Sequence, residues 1–304
     1  MKTSKQVEKL GVFYVLLAAA VFGVFPLLVN VGSKNIPPLF FAAITTFLAS
    51  LVALFYAALK GKLHEIKKRK SYTSILMVTL CIIVIPFVLF FIGSSKTSGL
   101  NSSLLLLSEI IFVLLFTPLM GEKTTINKVV GAMGILIGAI VVLQKGAFSF
   151  NTGDMLITIS TVTYPIGNFF LKKALNHVST SIVLFIRFLL GGFFLLVLSF
   201  IFEKEPNKMS IIIQNWQIIA FTGLAVLGVG KIFLYEGFKR LDITKGCSLA
   251  LTFPIFSMIF LMLFFNEQPV LNQWIGFGIM LIGIYFTIKR PSVDSSLTKY
   301  AAKE

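Results

Sequence analysis

Long apolar segments separated by short polar joins fill almost the whole 304-residue chain. A helix that crosses a bilayer needs about 20 consecutive, mostly apolar residues. Ten windows of this kind can be drawn, so the pattern predicts ten transmembrane helices. The windows cover residues 11–31, 38–59, 73–93, 101–120, 127–144, 154–172, 180–202, 216–238, 246–266 and 272–288.

A strip of the first half recurs without a gap 145 residues later. Unrelated leucine-rich helices would match at leucines, whereas this strip also matches at glutamate, asparagine and glycine. The chain therefore consists of two related halves. The matched positions include Glu122 with Glu267, Asn127 with Asn272, Gly131 with Gly276, and Leu136-Ile137-Gly138 with Leu281-Ile282-Gly283.

We place the boundary between the halves at 148/149, which gives repeats over residues 1–148 and 149–304 with five predicted helices each. Because five is odd, the second repeat must enter the membrane from the opposite side. The predicted fold is an all-α polytopic membrane protein of two inverted five-helix repeats, an arrangement typical of secondary transporters.

The amino-acid composition also indicates a membrane protein. The mean hydropathy of +0.93, the 57% of hydrophobic residues and the 13% of charged residues leave too little polar surface for a soluble chain of this length. We therefore expect the lipid bilayer to be a partner of most of the surface.

The net charge of +15 is distributed unevenly among the predicted loops. With a cytoplasmic N-terminus, twenty of the 27 lysines and arginines lie at the inner ends and loops and five at the outer ones. This bias follows the positive-inside rule and predicts a cytoplasmic (inner) membrane protein with both termini in the cytoplasm. Since topology accounts for the charge, no nucleic acid is expected as a partner.

The repeated strips also carry a family resemblance. The strip Asn101 to Glu109, the Gly121-Glu122-Lys123 turn and the Gly131 to Gly138 helix, with their counterparts near Gly246, Asn266-Glu267 and Gly276, resemble the drug/metabolite transporter superfamily in its ten-helix EamA-like branch. The resemblance covers essentially the whole chain. It implies two interleaved five-helix halves around a central cavity, in a family that includes exporters of amino acids, drugs and metabolites and importers of cations.

The chain departs from the family pattern at informative positions. Arg187-Phe188 carries the family's arginine in the second half, where the first half has Thr45-Thr46-Phe47. The family's helix-opening Trp-Gly is Phe22-Gly23 here, and Asn30 stands where a lysine is frequent. Glu109 aligns with Pro254. We expect substrate contacts where the two halves differ.

Glu109 is the strongest candidate for chemistry. It is the ninth residue of its predicted helix, which places it about 13 Å from the outer end and near the midplane. A carboxylate at this depth is costly unless it is protonated, paired or hydrated. One interpretation is a proton or cation site, and the alternative is a structural acid that is protonated or paired with arginine.

Arg187 and Lys231 both lie about 10 Å from the cytoplasmic ends of their predicted helices. Their shared depth permits a common anion-binding site. For Arg187 the alternative is a structural side chain that reaches the interface, because long basic side chains do this readily. Lys231 follows Gly228-Val-Gly230, which favours a position at a cavity.

Two predicted helices are interrupted at roughly corresponding positions. The segment from Tyr164-Pro165 to Asn168 and the segment from Phe22 to Pro26 both combine proline with glycine. Paired interruptions indicate the binding site of a transporter, although packing kinks are an alternative. We include Tyr164, Asn168, Phe22 and Phe25 as candidate substrate contacts, together with Tyr235.

No P-loop, GxSxG or HExxH motif is present, and no cysteine–histidine cluster, so we expect no cofactor, no metal and no enzyme activity. The preferred hypothesis is a secondary active transporter that exports small metabolites or drugs by alternating access, with proton coupling through Glu109 as an option. The alternatives are an importer of a cationic amine or amino-acid-like metabolite, and a non-transporting intramembrane enzyme or assembly protein. The expected partners are a small-molecule substrate, the bilayer and protons, and the expected state is a monomer or homodimer.

Overall fold

The computed structural model describes residues 4–97, 99–121, 125–143, 151–205, 207–256, 259 and 271–288. The regular structure in these ranges is helical throughout, which confirms the all-α class. Two of the matched repeat positions, Glu122 and Glu267, lie outside the described residues. Five described helices are long and apolar enough to cross a membrane: Lys5–Asn35, Pro38–Leu59, Tyr72–Ser95, Thr180–Phe202 and Trp216–Phe238.

The helices are numbered here in chain order. They are α1 (Ser4–Phe22), α2 (Phe25–Asn35), α3 (Pro38–Leu59), α4 (Tyr72–Thr79), α5 (Ile85–Ser95), α6 (Gly99–Leu106), α7 (Glu109–Leu119), α8 (Ile126–Leu143), α9 (Thr152–Ser160), α10 (Tyr164–Leu175), α11 (Thr180–Phe202), α12 (Lys208–Gln214), α13 (Trp216–Ala220), α14 (Lys231–Phe238), α15 (Ile243–Ala250) and α16 (Leu271–Ile288). Two π-helical segments, Leu80–Val84 and Phe221–Gly230, join α4 to α5 and α13 to α14.

The chain forms two compact units, each of which takes segments from both sequence halves. The first unit comprises Met1–Val24, Ser103–Ser149 and Phe233–Glu304. The second unit comprises Phe25–Ser102 and Phe150–Ile232. Interleaved repeats distribute their segments in this way, and the predicted repeat boundary at 148/149 stays a prediction.

In the first unit, α8 and α16 pack closely through glycine. A Cβ added at Gly138 would lie 2.6 Å from the carbonyl oxygen of Gly276, and a Cβ added at Gly283 would lie 2.8 Å from that of Gly131. The helices are therefore antiparallel at this contact. Gly276 and Gly283 are also the residues 145 positions after Gly131 and Gly138, so the register is the one that a two-fold axis between the repeats would produce.

In the second unit, α3 packs along α11 and along the longer π-helical segment. The close approaches again occur at glycines: Gly192 meets the ring of Phe47, Gly223 meets Leu48, and Gly228 meets Val52. Small residues at helix contacts let backbones approach, which is how helices associate where lipid supplies no hydrophobic driving force.

Two glutamates cap helix N-termini in the second unit. The Glu65 carboxylate accepts the backbone N–H of Ser179, just before α11, at 2.6 Å. The Glu203 carboxylate accepts those of Leu39 and Phe40, at the start of α3, at 2.7 and 2.9 Å. Each acid thus supplies a partner for amides that have none within their own helix. The loop after α3 caps α11, and the loop after α11 caps α3.

The shorter π-helical segment has a clear local cause. The N–H of Ile85 bonds to Leu80 O instead of Cys81 O, and Pro86 has no N–H to donate. Cys81 O accepts the hydroxyl of Thr163 at 2.8 Å instead. The Thr163 hydroxyl, between α9 and α10, therefore donates to a carbonyl that has no backbone donor in the widened turn.

Candidate functional site

The predicted site residues divide between the two units. Glu109, Tyr235 and Phe22 belong to the first unit; Phe25, Tyr164, Asn168, Arg187 and Lys231 belong to the second.

Glu109 is the first residue of α7 rather than an interior residue of one long helix. The prediction of an unbroken helix over 101–120 was wrong in this respect, because the chain turns at Leu107–Ser108 between α6 and α7. The hydroxyl of Ser108 donates to Leu105 O at 2.6 Å, and the same carbonyl accepts the Ser108 backbone N–H at 3.1 Å. The half-buried Glu109 side chain therefore lies at the positive end of a helix dipole, inside an apolar segment.

The second repeat contains a corresponding break. Helix α15 ends at Ala250, and a turn at Leu251–Thr252 precedes Pro254. The hydroxyl of Thr252 donates to Leu249 O at 2.7 Å, as Ser108 does to Leu105 O. Ser108 and Thr252 are 144 residues apart, so the two repeats break their fourth helices at nearly the same position. Proline explains the second break, since it cannot donate to the previous turn.

Two tyrosines of the first unit, Tyr235 and Tyr14, contact other aromatic or basic side chains. Tyr235 is fully buried on α14, and its ring stacks on Phe238 with centroids 6.4 Å apart. Tyr14 of α1 stacks on Phe233 at 6.3 Å and lies under the Arg240 guanidinium at 5.3 Å. Tyr14 was not predicted from the sequence, because a lone tyrosine in an apolar helix has no distinguishing pattern.

Arg187 is completely buried in α11 of the second unit, although it carries a positive charge. Its guanidinium carbon lies 4.3 Å from the centroid of the Phe188 ring. A cation over an aromatic face is attracted to the ring quadrupole, and the attraction is stronger where water is absent. This placement differs from an arginine that reaches the interface, which was the alternative considered from the sequence.

Tyr164 and Asn168 lie on α10, immediately after an irregular turn. A 3-10 segment at Thr161–Thr163 separates α9 from α10, so the interruption precedes Tyr164 and the helix resumes there. Asn168 is buried one turn further along, and Tyr164 is half-buried. The polar groups therefore follow the break in the sixth predicted span.

The predicted interruption near the N-terminus is also present: α1 ends at Phe22 and α2 begins at Phe25. Phe25 packs in an aromatic cluster, with ring centroids 5.7 Å from Phe90 and 6.5 Å from both Phe87 and Phe91. These contacts give Phe25 a structural role in its unit. Its predicted substrate contact remains a prediction, as does that of the half-buried Phe22.

Lys231 follows directly on the π-helical segment Phe221–Gly230, and its backbone N–H bonds to Gly228 O. Ten residues is long for a π-helix, and such turns occur frequently at functional sites. The shorter π-helical segment, Leu80–Val84, falls within the longer one when the offset of 145 is applied. The third helix of each repeat is thus widened at an equivalent position, which periodicity alone did not predict.

Each unit also contains a buried group of polar side chains that the sequence did not predict. In the second unit, Asp154 accepts the Thr97 hydroxyl at 2.6 Å, and Asn30 donates to Thr97 O at 3.0 Å. In the first unit, Lys245 bonds to Glu8, and Lys128 lies 2.9 Å from Asp242. Each pairing joins residues more than 50 positions apart, so only the fold could bring them together.

Among the described residues, no group of three or more histidine, cysteine, aspartate or glutamate side chains is arranged to hold a metal ion. The candidate polar groups of the first unit are the carboxylate of Glu109 and the phenol of Tyr235. Those of the second unit are the guanidinium of Arg187, the ammonium of Lys231, the amide of Asn168 and the phenol of Tyr164.

Known proteins resemble this chain over most of its length. The EamA-like transporter family matches residues 9–144 and 151–289. The uncharacterized transporter YoaV of Bacillus subtilis (strain 168) is 26% identical over 277 residues, which cover 87% of this chain and 92% of that protein. An uncharacterized transporter of Methanothermobacter thermautotrophicus is 22% identical and covers 90% of this chain, with 85% of its own length matched.

A solved crystal structure shares the fold. It superimposes with a TM-score of 0.73 at 17% sequence identity, covering 93% of this chain and 96% of its own. At this identity the likeness concerns the fold alone.

Proposed function

The chain belongs to the EamA-like transporter family and is a membrane transporter, and on this premise we propose that it exports small metabolites or drugs by alternating access. The observation that carries the proposal is the pair of broken fourth helices, at Leu107–Ser108 and Leu251–Thr252. Discontinuous helices at corresponding positions of two repeats are where transporters place substrate sites. Glu109 begins the half-helix after the first break.

The inverted-repeat arrangement is supported by reciprocal contacts inside each unit. In the first unit the α8–α16 register pairs Gly131 with Gly283 and Gly138 with Gly276. In the second unit Glu65 and Glu203 cap each other's neighbouring helices, α11 and α3. Repeats that face opposite ways allow one to adopt toward the outside the conformation that the other adopts toward the inside.

The proposed orientation places both termini in the cytoplasm and the protein in the inner membrane. The twenty inner basic residues against five outer ones support it. We retain export as the preferred direction and import of a cationic amine as the alternative; both use the same conformational cycle.

Glu109 is the proposed coupling residue, because it is an acid inside an apolar segment and at a helix break. Replacing it with glutamine keeps the shape of the side chain and removes its ability to release a proton. We expect Glu109→Gln to abolish transport driven by a pH gradient in proteoliposomes. Binding of the transported solute, followed by thermal shift, should survive at reduced affinity.

The matched control for this variant is Glu236→Gln. Glu236 is an acid of the same unit, but its carboxylate forms a 2.7 Å ion pair with Arg240, which lies four residues further along the chain, just after the end of α14. Because this carboxylate is already paired locally, we expect coupled transport to persist in Glu236→Gln. Full coupling in Glu109→Gln, or loss of coupling in both variants, contradicts the assigned role.

The charge of the substrate follows from which polar group contacts it. Glu109 would attract an amine, with aromatic rings adding cation–π contacts of about 0.5–2 kcal/mol. Arg187 and Lys231 would instead attract a carboxylate or phosphate. Because Arg187 already lies against Phe188 at 4.3 Å, we favour the amine or amino-acid-like solute. A thermal-shift comparison of quaternary amines, amino acids and organic anions on purified protein distinguishes these classes.

A further inference from the structure

We propose that two repeat-related polar latches hold the transporter closed, an ionic latch between Glu8 and Lys245 on the cytoplasmic side and a hydrogen-bonded latch between Thr97 and Asp154 on the outer side. This inference rests on the proposed alternating-access function and orientation. Each latch lies within one compact unit: the ionic latch in the first and the hydrogen-bonded latch in the second.

The ionic latch connects the start of α1 to the start of α15. Lys245 is completely buried, and its Nζ donates to Oε1 of Glu8, whose side chain is 15% exposed. The backbone N–H of Lys245 donates to Asp242 Oδ1 at 2.7 Å. A lysine buried in this way is stabilised by its partners, since an unpaired charge in the interior is strongly destabilising.

A second ion pair extends the ionic latch to α8. The other oxygen of Asp242 lies 2.9 Å from Lys128 Nζ, and both side chains are buried. These two ion pairs therefore bring together two carboxylates and two ammonium groups. Through them α15 is tied to α1 and α8, and opening this end would expose all four groups to water.

The hydrogen-bonded latch connects the α5–α6 linker to the start of α9. Asp154 is completely buried and accepts the Thr97 hydroxyl at 2.6 Å. Its other oxygen accepts the backbone N–H of Asn151 at 2.8 Å, which completes an N-terminal capping box. Asn30 fixes the same linker from α2, donating to Ser94 O at 2.6 Å and to Thr97 O at 3.0 Å.

The two latches occupy corresponding places in the repeats. Glu8 and Asp154 are acids at the start of the first helix of each half, and Thr97 and Asp242 lie 145 residues apart in the linkers before the fourth helices. The difference is Lys245, whose counterpart in the sequence is Leu100. An ion pair thus closes one side and a hydroxyl–carboxylate bond the other.

The chain offers a reporter for each latch at equivalent positions. Cys247 is 1% exposed, two residues after Lys245. Ser102, 145 residues earlier, is fully buried, and its hydroxyl lies 3.0 Å from that of Ser94. Since the chain has two cysteines, Cys81→Ser leaves Cys247 as the single thiol, and adding Cys247→Ser and Ser102→Cys moves the thiol to the outer latch.

The test is the rate at which a membrane-impermeant maleimide labels these thiols in inside-out and right-side-out vesicles. We expect Lys245→Met and Glu8→Gln each to raise labelling of Cys247 from the cytoplasmic face about tenfold or more, because each leaves one buried charge without its partner. Thr97→Val should raise labelling of Ser102→Cys from the outer face. Lys68→Met, which breaks the Lys68–Glu65 ion pair of the second unit, should leave Cys247 protected.

The double variant Glu8→Lys with Lys245→Glu separates pairing from damage to the fold. It restores an ion pair with reversed charges, so Cys247 should again be protected. Slow labelling of Cys247 in both single variants, or fast labelling in the charge-reversed double variant, overturns the latch. Labelling needs no transported solute, so this failure is distinguishable from failure of the proposed function, which would be loss of solute flux in the unmodified protein.

Discussion

Glu109 begins α7 because the chain turns at Leu107-Ser108, a pair that contains neither proline nor glycine. The hydroxyl of Ser108, bonded to Leu105 O, stabilises the turn. A serine hydroxyl can form this hydrogen bond in any helix, so the turn at this position depends on tertiary packing.

Glu65 makes a residue-scale prediction about pH. Burial raises its pKa, but the backbone N–H and hydroxyl of Ser179 and the Lys68 ammonium outweigh burial and hold the pKa below its ordinary value of 4.5. The stabilisation is therefore complete above about pH 4.5 and is lost as the pH falls through the lowered pKa. We expect Glu65→Gln to lower the melting temperature near pH 7 by about 2–4 °C, with the difference shrinking at acidic pH.

The control for Glu65 is Glu205→Gln, an exposed acid of the α11–α12 loop. Its melting temperature should follow that of the unmodified protein at every pH. A difference between Glu65→Gln and the unmodified protein that grows below pH 4 would contradict the capping role.

At the scale of the element, irregular helix geometry is what the sequence predicted least well. The positions of the long helices, and the break between Phe22 and Phe25, followed from hydropathy and from glycine. The two π-helical segments did not, because the contacts around them come from elsewhere in the fold: Thr163 donates to Cys81 O, and Leu48 and Val52 pack against the glycines at 223 and 228. Contacts of this kind leave no periodic signal along the chain.

The α8–α16 contact makes an element-scale prediction with a matched control. Gly138→Ala would place a Cβ 2.6 Å from Gly276 O and 2.7 Å from Met280 N, so the helices must move apart. Gly278→Ala, on α16 itself, meets nothing within 4 Å. We expect Gly138→Ala to lower the melting temperature by several degrees, as overpacking costs about 1–3 kcal/mol. Gly278→Ala should leave it unchanged or raised, because alanine has the higher helix propensity.

Equal melting temperatures for these two alanine variants would contradict the close glycine packing. Both substitutions add one methyl group, Gly138→Ala to α8 and Gly278→Ala to α16, the two helices that pack together. Only the distance to the neighbouring backbone differs.

At the scale of the whole molecule, the repeat explains more than any single site. The 145-residue offset predicted two related halves, and the same offset relates the glycine register, the π-helical segments and the two reporter positions Ser102 and Cys247. The repeat does not identify the substrate. The halves differ at Glu109, which aligns with Pro254, and at Arg187, so comparing one half with the other does not show what these residues do.

Alternating access makes a direct prediction for counterflow of solute in proteoliposomes. Vesicles are loaded with an unlabelled amine or amino acid that raises the melting temperature of the purified protein, and the labelled compound is added outside. A carrier that alternates exchanges the two, so labelled solute should accumulate transiently above its external concentration. Uptake that rises to equilibrium without this overshoot, or binding with no uptake, would contradict the account.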